Sequence, residues 1–196
     1  MKKTMIISAM VGCGKTWLAS HQEELGYSVC DIDSSTYDKT AGWEQQYVDD
    51  LVKQVQTGKY DFITVTQARA VLDELDGRGV PYVLVMPDNL VYSGQEPGIT
   101  QGERQLVKQQ WFGRFLLMDN SHIKDVGAWL QHMLKVYDEK TSNEFINQHK
   151  AVTFFLLEQN MYLSDILKDL YFKKEHYESY TKYPNQTSGG LKKMGF

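Results

Sequence analysis

Residues 9–16, Ala-Met-Val-Gly-Cys-Gly-Lys-Thr, hold the most specific chemistry in this chain. They fit the pattern Ala/Gly-x-x-x-x-Gly-Lys-Ser/Thr, which average residue usage produces by chance on the order of once in a hundred chains of this length. The pattern suits an anionic ligand for physical reasons. Successive backbone N–H groups from Val11 to Thr16 can converge on phosphate oxygens, reinforced by the positive end of a following helix. Gly14 lets the chain turn back without a Cβ in the way. Lys15 can reach the outer phosphates, and the Thr16 hydroxyl can ligate Mg²⁺. Ala9 opens the motif where glycine is commoner, but that position asks only for a small side chain. The candidate nucleotide contacts are therefore Ala9, Val11, Gly12, Cys13, Gly14, Lys15, Thr16 and Trp17. The competing reading is a glycine turn that merely starts a helix.

Asp31 and Asp33 form an Asp-x-Asp at the end of a second apolar segment, followed by Ser34 and Ser35. Residues two apart in a strand project to one side, so both carboxylates could face one Mg²⁺ or one hydroxyl. The alternative is an acidic turn or helix cap, for which Asp-Ile-Asp-Ser-Ser-Thr is well suited. The third strand-like segment ends in Thr66-Gln67 with no acid. That absence raises the value of Asp31 and Asp33 as metal-directed groups, with Thr16 and Asp33 the expected metal pair. Gln67 and Arg69 lie where they could meet an acceptor, although Arg69 also reads as a surface or capping residue. Arg104, Lys108 and Arg114 occupy a basic helical stretch. An arginine there could answer the charge that builds in phosphoryl transfer, or the stretch is a solvated helix face. The five histidines show no metal-ligand spacing, and no Ser–His–Asp arrangement is visible.

The elements that must position these groups follow from periodicity. Thr4 to Ser8 is a continuous apolar run ending at the glycine loop, as a buried parallel strand should be. Residues 16–25 read as a helix closed by Gly26. Further strands are expected at 27–33, 61–67 and 81–87. Helices are expected from Trp43 to Gly58, and after Gln67 with Ala68, Val71, Leu72 and Leu75 inward. This alternation predicts an α/β fold with a parallel sheet of four or five strands and helices on both faces. Residues 115–118, Phe-Leu-Leu-Met, fit either a fifth strand or a helix, because periodicity cannot decide so short a run. Ile123 to Tyr137 marks an amphipathic helix, and two more helices are expected near 143–159 and 164–180. The tail from 183 to 196 reads as flexible.

With 196 residues the chain can bury a sizeable core as one domain. A net charge of −4 excludes binding nucleic acid by electrostatics alone. No apolar run reaches membrane-spanning length. Two cysteines are too few for a disulfide framework and read as free thiols in a reducing cytoplasm. Lys2, Lys3 and the apolar run up to Cys13 imitate a short lipoprotein leader, but the Gly-Lys-Thr that follows at once assigns this segment to the loop.

With these residues on the page, the chain resembles P-loop kinases of the nucleoside monophosphate kinase type, closest to small nucleotide-kinase-like proteins of bacteriophages and prophages. The likeness runs over roughly 4–115, through AMVGCGKT, DIDSS, GKYDFITVT and GVPYVLVMP. It implies a three-layer P-loop NTPase fold over 1–182, with a lid-like region about 92–114 and a helical C-terminal portion about 121–182. It further implies ATP at Lys15 and Thr16, Mg²⁺, an acceptor near Asp33, Ser34 and Ser35, and lid-like arginines among Arg104 and Arg114. The expected activity is Mg²⁺-dependent phosphoryl transfer from ATP to a nucleoside or deoxynucleoside monophosphate. In that activity Lys15, Asp31, Asp33, Arg104 and Arg114 are the catalytic set. Two alternatives stay open: a kinase of a non-nucleotide small molecule, similar to shikimate and gluconate kinases, and a non-catalytic nucleotide-binding regulator of phage origin. The expected partner is the small phosphate acceptor, with no membrane and no strong nucleic-acid binding, and a homodimer is left open.

Overall fold

The computed structural model describes residues 4–88, 100–118, 123–158 and 160–175. The chain opens with β1 (Met5–Ala9), all five residues buried, as expected of a strand covered on both faces. The glycine loop leads into α1 (Lys15–Ser20) and α2 (Gln22–Leu25). The single helix expected over 16–25 is thus interrupted at His21. There the Ser20 hydroxyl and the His21 amide both donate to the Trp17 carbonyl, and His21 Nδ1 lies 2.9 Å from the same oxygen. Such side-chain competition for a helix carbonyl weakens continuation.

β2 (Val29–Asp31) is followed by a 3₁₀ turn, Ser34–Thr36. Next come α3 (Trp43–Thr57), β3 (Phe62–Val65), α4 (Arg69–Arg78) and β4 (Val83–Pro87). Glycines in the left-handed conformation end both helices, Gly58 at φ +61° and Gly79 at φ +64°, where other residues are strained. α5 (Gln101–Leu117) starts with a capping box between Thr100 and Glu103. Then follow α6 (Val126–Lys140), α7 (Asn143–Gln148), β5 (Thr153–Leu157) and α8 (Leu163–Glu175).

The five strands form one parallel sheet in the order β2-β3-β1-β4-β5. Alternation along β1 sorts the core. Met5, Ile7 and Ala9 pack with Leu18 of α1, Trp111 and Phe115 of α5, Met133 of α6 and Leu167 of α8. Ile6 packs on the other side with Val48 and Leu51 of α3, Leu72 and Leu75 of α4, and Phe145 of α7. Helices therefore cover both faces, and the α/β class with a five-stranded parallel sheet is observed. Among the described residues no helix is long and apolar enough to cross a membrane.

In the second half one open alternative is settled and one expectation changes. Residues 115–117 belong to α5, so Phe115 is a helical core residue. The fifth strand comes instead from 153–157, inside a stretch expected to be helical, so the C-terminal portion is not wholly helical. β5 pairs with β4 from Val83↔Thr153 to Pro87↔Leu157. A short apolar run suits a sheet edge as well as a helix, and the open edge of β4 decides the matter. The tail at 183–196 expected to be flexible, the end of the helix expected to reach 180 and residues 92–99 of the expected lid-like region lie outside the described residues.

Candidate functional site

The loop between β1 and α1 is shaped by two glycines. The Cys13 amide donates to the Met10 carbonyl at 3.3 Å, closing a four-residue turn. Gly12, third in that turn, has φ +83°, a value that costs an L side chain heavily. A Cβ there would also sit 3.1 Å from Phe115 Cε1. Gly14, at φ +92°, caps α1, and Tyr162 leaves a Cβ only 3.4 Å of room there. The Leu163 amide donates to the Cys13 carbonyl at 3.0 Å, tying the loop to the start of α8. The Cys13 thiol is fully buried, and burial pushes its pKa up to about 11, so it packs rather than reacts.

Lys15 folds back into this loop. Its Nζ donates to the carbonyls of Ala9 at 2.9 Å and Met10 at 3.2 Å. Burial pulls its pKa down, while Cys13, Asp31 and Asp33 pull it back up. Among the described residues the amides of Val11, Gly12, Gly14, Lys15, Thr16 and Trp17 have no acceptor, and Gly14 offers no side-chain cap. Six donors of one sign beside a held ammonium make a cradle for anionic oxygens.

The acids divide their roles. Asp31 Oδ2 accepts from the Thr16 hydroxyl at 3.0 Å, and Oδ1 accepts from the Thr64 hydroxyl of β3 at 2.7 Å. Asp33 lies beyond the strand, where alternation no longer applies, and caps the 3₁₀ turn. Its two oxygens accept from the Ser35 amide at 2.8 Å and the Ser35 hydroxyl at 2.7 Å. Asp31, rather than Asp33, is thus the acid hydrogen-bonded to Thr16. Burial alone would raise the Asp33 pKa, but the Ser35 bonds, Lys15 and Lys39 outweigh it and hold it below the ordinary 3.8. A depressed native pKa contributes stability above the unfolded value and loses it as pH falls through the native one. Asp33→Asn is therefore expected to lower the urea midpoint near neutral pH, with the gap to wild type closing below pH 3.8. A gap that persists unchanged into acid would contradict this.

These groups line a cleft of about 830 Å³ at the carboxyl ends of the strands. Its position follows from topology. β1 runs into α1 on one face and the neighbouring β3 runs into α4 on the other, so the chains diverge and leave a crevice. Ser34 lines it, whereas Ser35 is not among its lining residues and is committed to Asp33. Gln67 is buried; its Nε2 bridges Ser8 O at 3.2 Å and Val85 O at 2.7 Å, stitching the segment after β3 to β1 and β4, while Oε1 has no partner among the described residues. Arg69 opens α4 and lines the cleft.

The opposite wall comes from α5, α6 and the segment before α8. Arg114 is 7 % exposed, with its guanidinium carbon 3.9 Å from the Trp111 ring centroid and 4.2 Å from that of Tyr162. One of its terminal nitrogens reaches the Gly12 carbonyl at 3.5 Å. Arg104, almost three turns earlier on α5, is exposed and outside the cleft lining. Lys108 is bound to Asp138, fastening α5 to α6. Sequence reasoning did not pick out Thr64, Tyr162, Glu139 or Lys140. The amphipathic helix read from Ile123 to Tyr137 stopped short of both Glu139 and Lys140.

No family model matches the chain, and neither a curated protein nor a solved structure matches it.

Proposed function

We propose that this chain is a P-loop kinase of the nucleoside monophosphate kinase type, which moves the γ-phosphoryl of ATP, with Mg²⁺, to a nucleoside or deoxynucleoside monophosphate. One observation carries the reading. The Lys15 ammonium, on a half-buried side chain, is held at 2.9 Å by the carbonyl of Ala9 within a loop whose six neighbouring amides have no acceptor among the described residues. A triphosphate tail answers both features at once.

The residues also suit Mg²⁺. Among the described residues no three carboxylate, histidine or cysteine groups gather to cage a metal. Mg²⁺ needs no such cage, because it keeps several waters and takes one or two protein groups plus substrate phosphates. Thr16 Oγ1 and Asp31 Oδ2, 3.0 Å apart, are the pair that would hold it. When bound, the ion neutralises charge on the phosphates. Lys15 and the loop amides orient the donor, and Arg114 adds positive charge beside Gly12. Transfer exchanges the β–γ bridging P–O bond for one to an oxygen of the acceptor phosphate, with ADP leaving. Positioning and charge stabilisation account for the catalysis, since the reaction asks little covalent chemistry of the side chains.

ADP release measured with a panel of NMPs, dNMPs, gluconate and shikimate tests the proposal. Turnover that needs a monophosphate and stops on chelation of Mg²⁺ is expected. Turnover on gluconate or shikimate would transfer the enzyme to the small-molecule kinases. Tight ATP binding without turnover on any acceptor would make the chain a nucleotide-binding regulator.

A further inference from the structure

The far end of the cleft holds two cations that share one carboxylate oxygen. Glu139 Oε1 lies 3.1 Å from Lys140 Nζ and 3.8 Å from Arg69 Nε. Lys140 is 6 % exposed, and its Nζ sits 4.1 Å over the Phe145 ring. An ammonium has three donors, yet only Glu139 accepts from it, so two buried donors have no acceptor among the described residues. The Arg69 side chain makes no hydrogen bond among the described residues, and its planar fork stands open. A buried charge left partly unsatisfied is costly, and this one borders a ligand-sized cleft. Asp73 also pulls on Lys140, but it lies outside the cleft lining.

The rest of α6 describes what is attached to the anion. Met133, Val136 and Lys140 follow one another at helical spacing and all line the cleft, with Leu117 and Met118 of the α5 end beside them. From Met133 to Lys140 the helix advances about 10 Å. The wall therefore runs from an apolar surface to a pair of cations. A polyol or hydroxy acid would put hydroxyls against methionine, leucine and valine. A flat heteroaromatic body joined to a phosphate monoester matches both ends.

We infer that Lys140 and Arg69 form the subsite for the phosphate of the acceptor, with Glu139 as their counter-ion in its absence and the α6 stripe as the bed for its base. This rests on the kinase reading and names the residues that would hold its monophosphate acceptor. A phosphate oxygen shared between the two cations replaces Glu139 Oε1 with a bidentate partner for the guanidinium.

Calorimetric titration of the full chain without ATP tests the subsite directly, with dTMP, dAMP, inorganic phosphate and gluconate as probes. The monophosphates are expected to bind at least tenfold more tightly than inorganic phosphate or gluconate. Lys140→Met and Arg69→Gln should each weaken them about 10- to 100-fold, the range for a lost charge-assisted hydrogen bond, while Lys140→Arg retains most of the affinity. The affinity for ATP should stay the same in all three variants. Arg69 is half-exposed, so Arg69→Gln carries the test even if a change at Lys140 harms folding. Monophosphate affinity within twofold of wild type in Arg69→Gln and in a folded Lys140→Met would overturn the inference, as would gluconate binding as tightly as dTMP. If ATP fails to bind while the monophosphate losses appear, the kinase reading falls and the subsite stands.

Discussion

Lys15→Ala is expected to slow phosphoryl transfer by about 10²–10³-fold, the cost of removing one preorganised charge-stabilising donor, and to leave the fold as stable as before. The two halves of that result have one cause. Lys15 is half-buried and desolvation pulls its pKa down, so holding its charge in place adds little to stability. Its partners are backbone carbonyls of Ala9 and Met10 rather than a carboxylate. On the kinase reading, a charged group that adds little to the fold, among amides that lack acceptors, is there for the phosphates. Single-turnover rates and thermal melts of the two proteins separate the effects. A transfer rate within tenfold of wild type would sink the assignment. A large fall in melting temperature would mean that Lys15 is there to hold the loop.

Phe115→Ala should destabilise the chain by about 3–5 kcal/mol, the usual cost of emptying a buried aromatic site. Against a typical total of about 5–15 kcal/mol this is severe. Phe115 is fully buried, edge-on to Trp129 at 6.1 Å and to Phe112 at 6.4 Å, and its ring backs Gly12. Its loss removes packing between α5 and α6 and support beneath the loop together. Urea unfolding should therefore show the drop, and nucleotide affinity should fall in the molecules that remain folded. A loss below about 1 kcal/mol would show that the neighbouring rings collapse into the space.

Local pattern carried the first half of this structure far. The four strands around the glycine loop, and the ends of α3 and α4 at Gly58 and Gly79, were legible because apolar runs and left-handed glycines are local signals. β5 was not. Thr153 is followed by four apolar residues with no alternation, and only pairing with β4 makes the segment a strand. At the site, the loop was legible and the division of labour between Asp31 and Asp33 was not. Which acid meets Thr16 depends on where β2 stops and on the Thr64 hydroxyl of the adjacent strand. Arg104 and Arg114 look alike in sequence. The helix carries one out to solvent and the other between Trp111 and Tyr162, a difference that only tertiary packing writes.

The bond from the Leu163 amide to the Cys13 carbonyl joins the loop after β1 to the residues that follow β5. A nascent chain whose β5 is still inside the ribosome lacks this partner for the carbonyl, and no Tyr162 ring yet lies against Gly14. The loop is thus translated well before the residues that roof it. On the kinase reading, capture of ligand waits until the chain has been made past Leu163, and products cut short before β5 are left with a loop that lacks its roof.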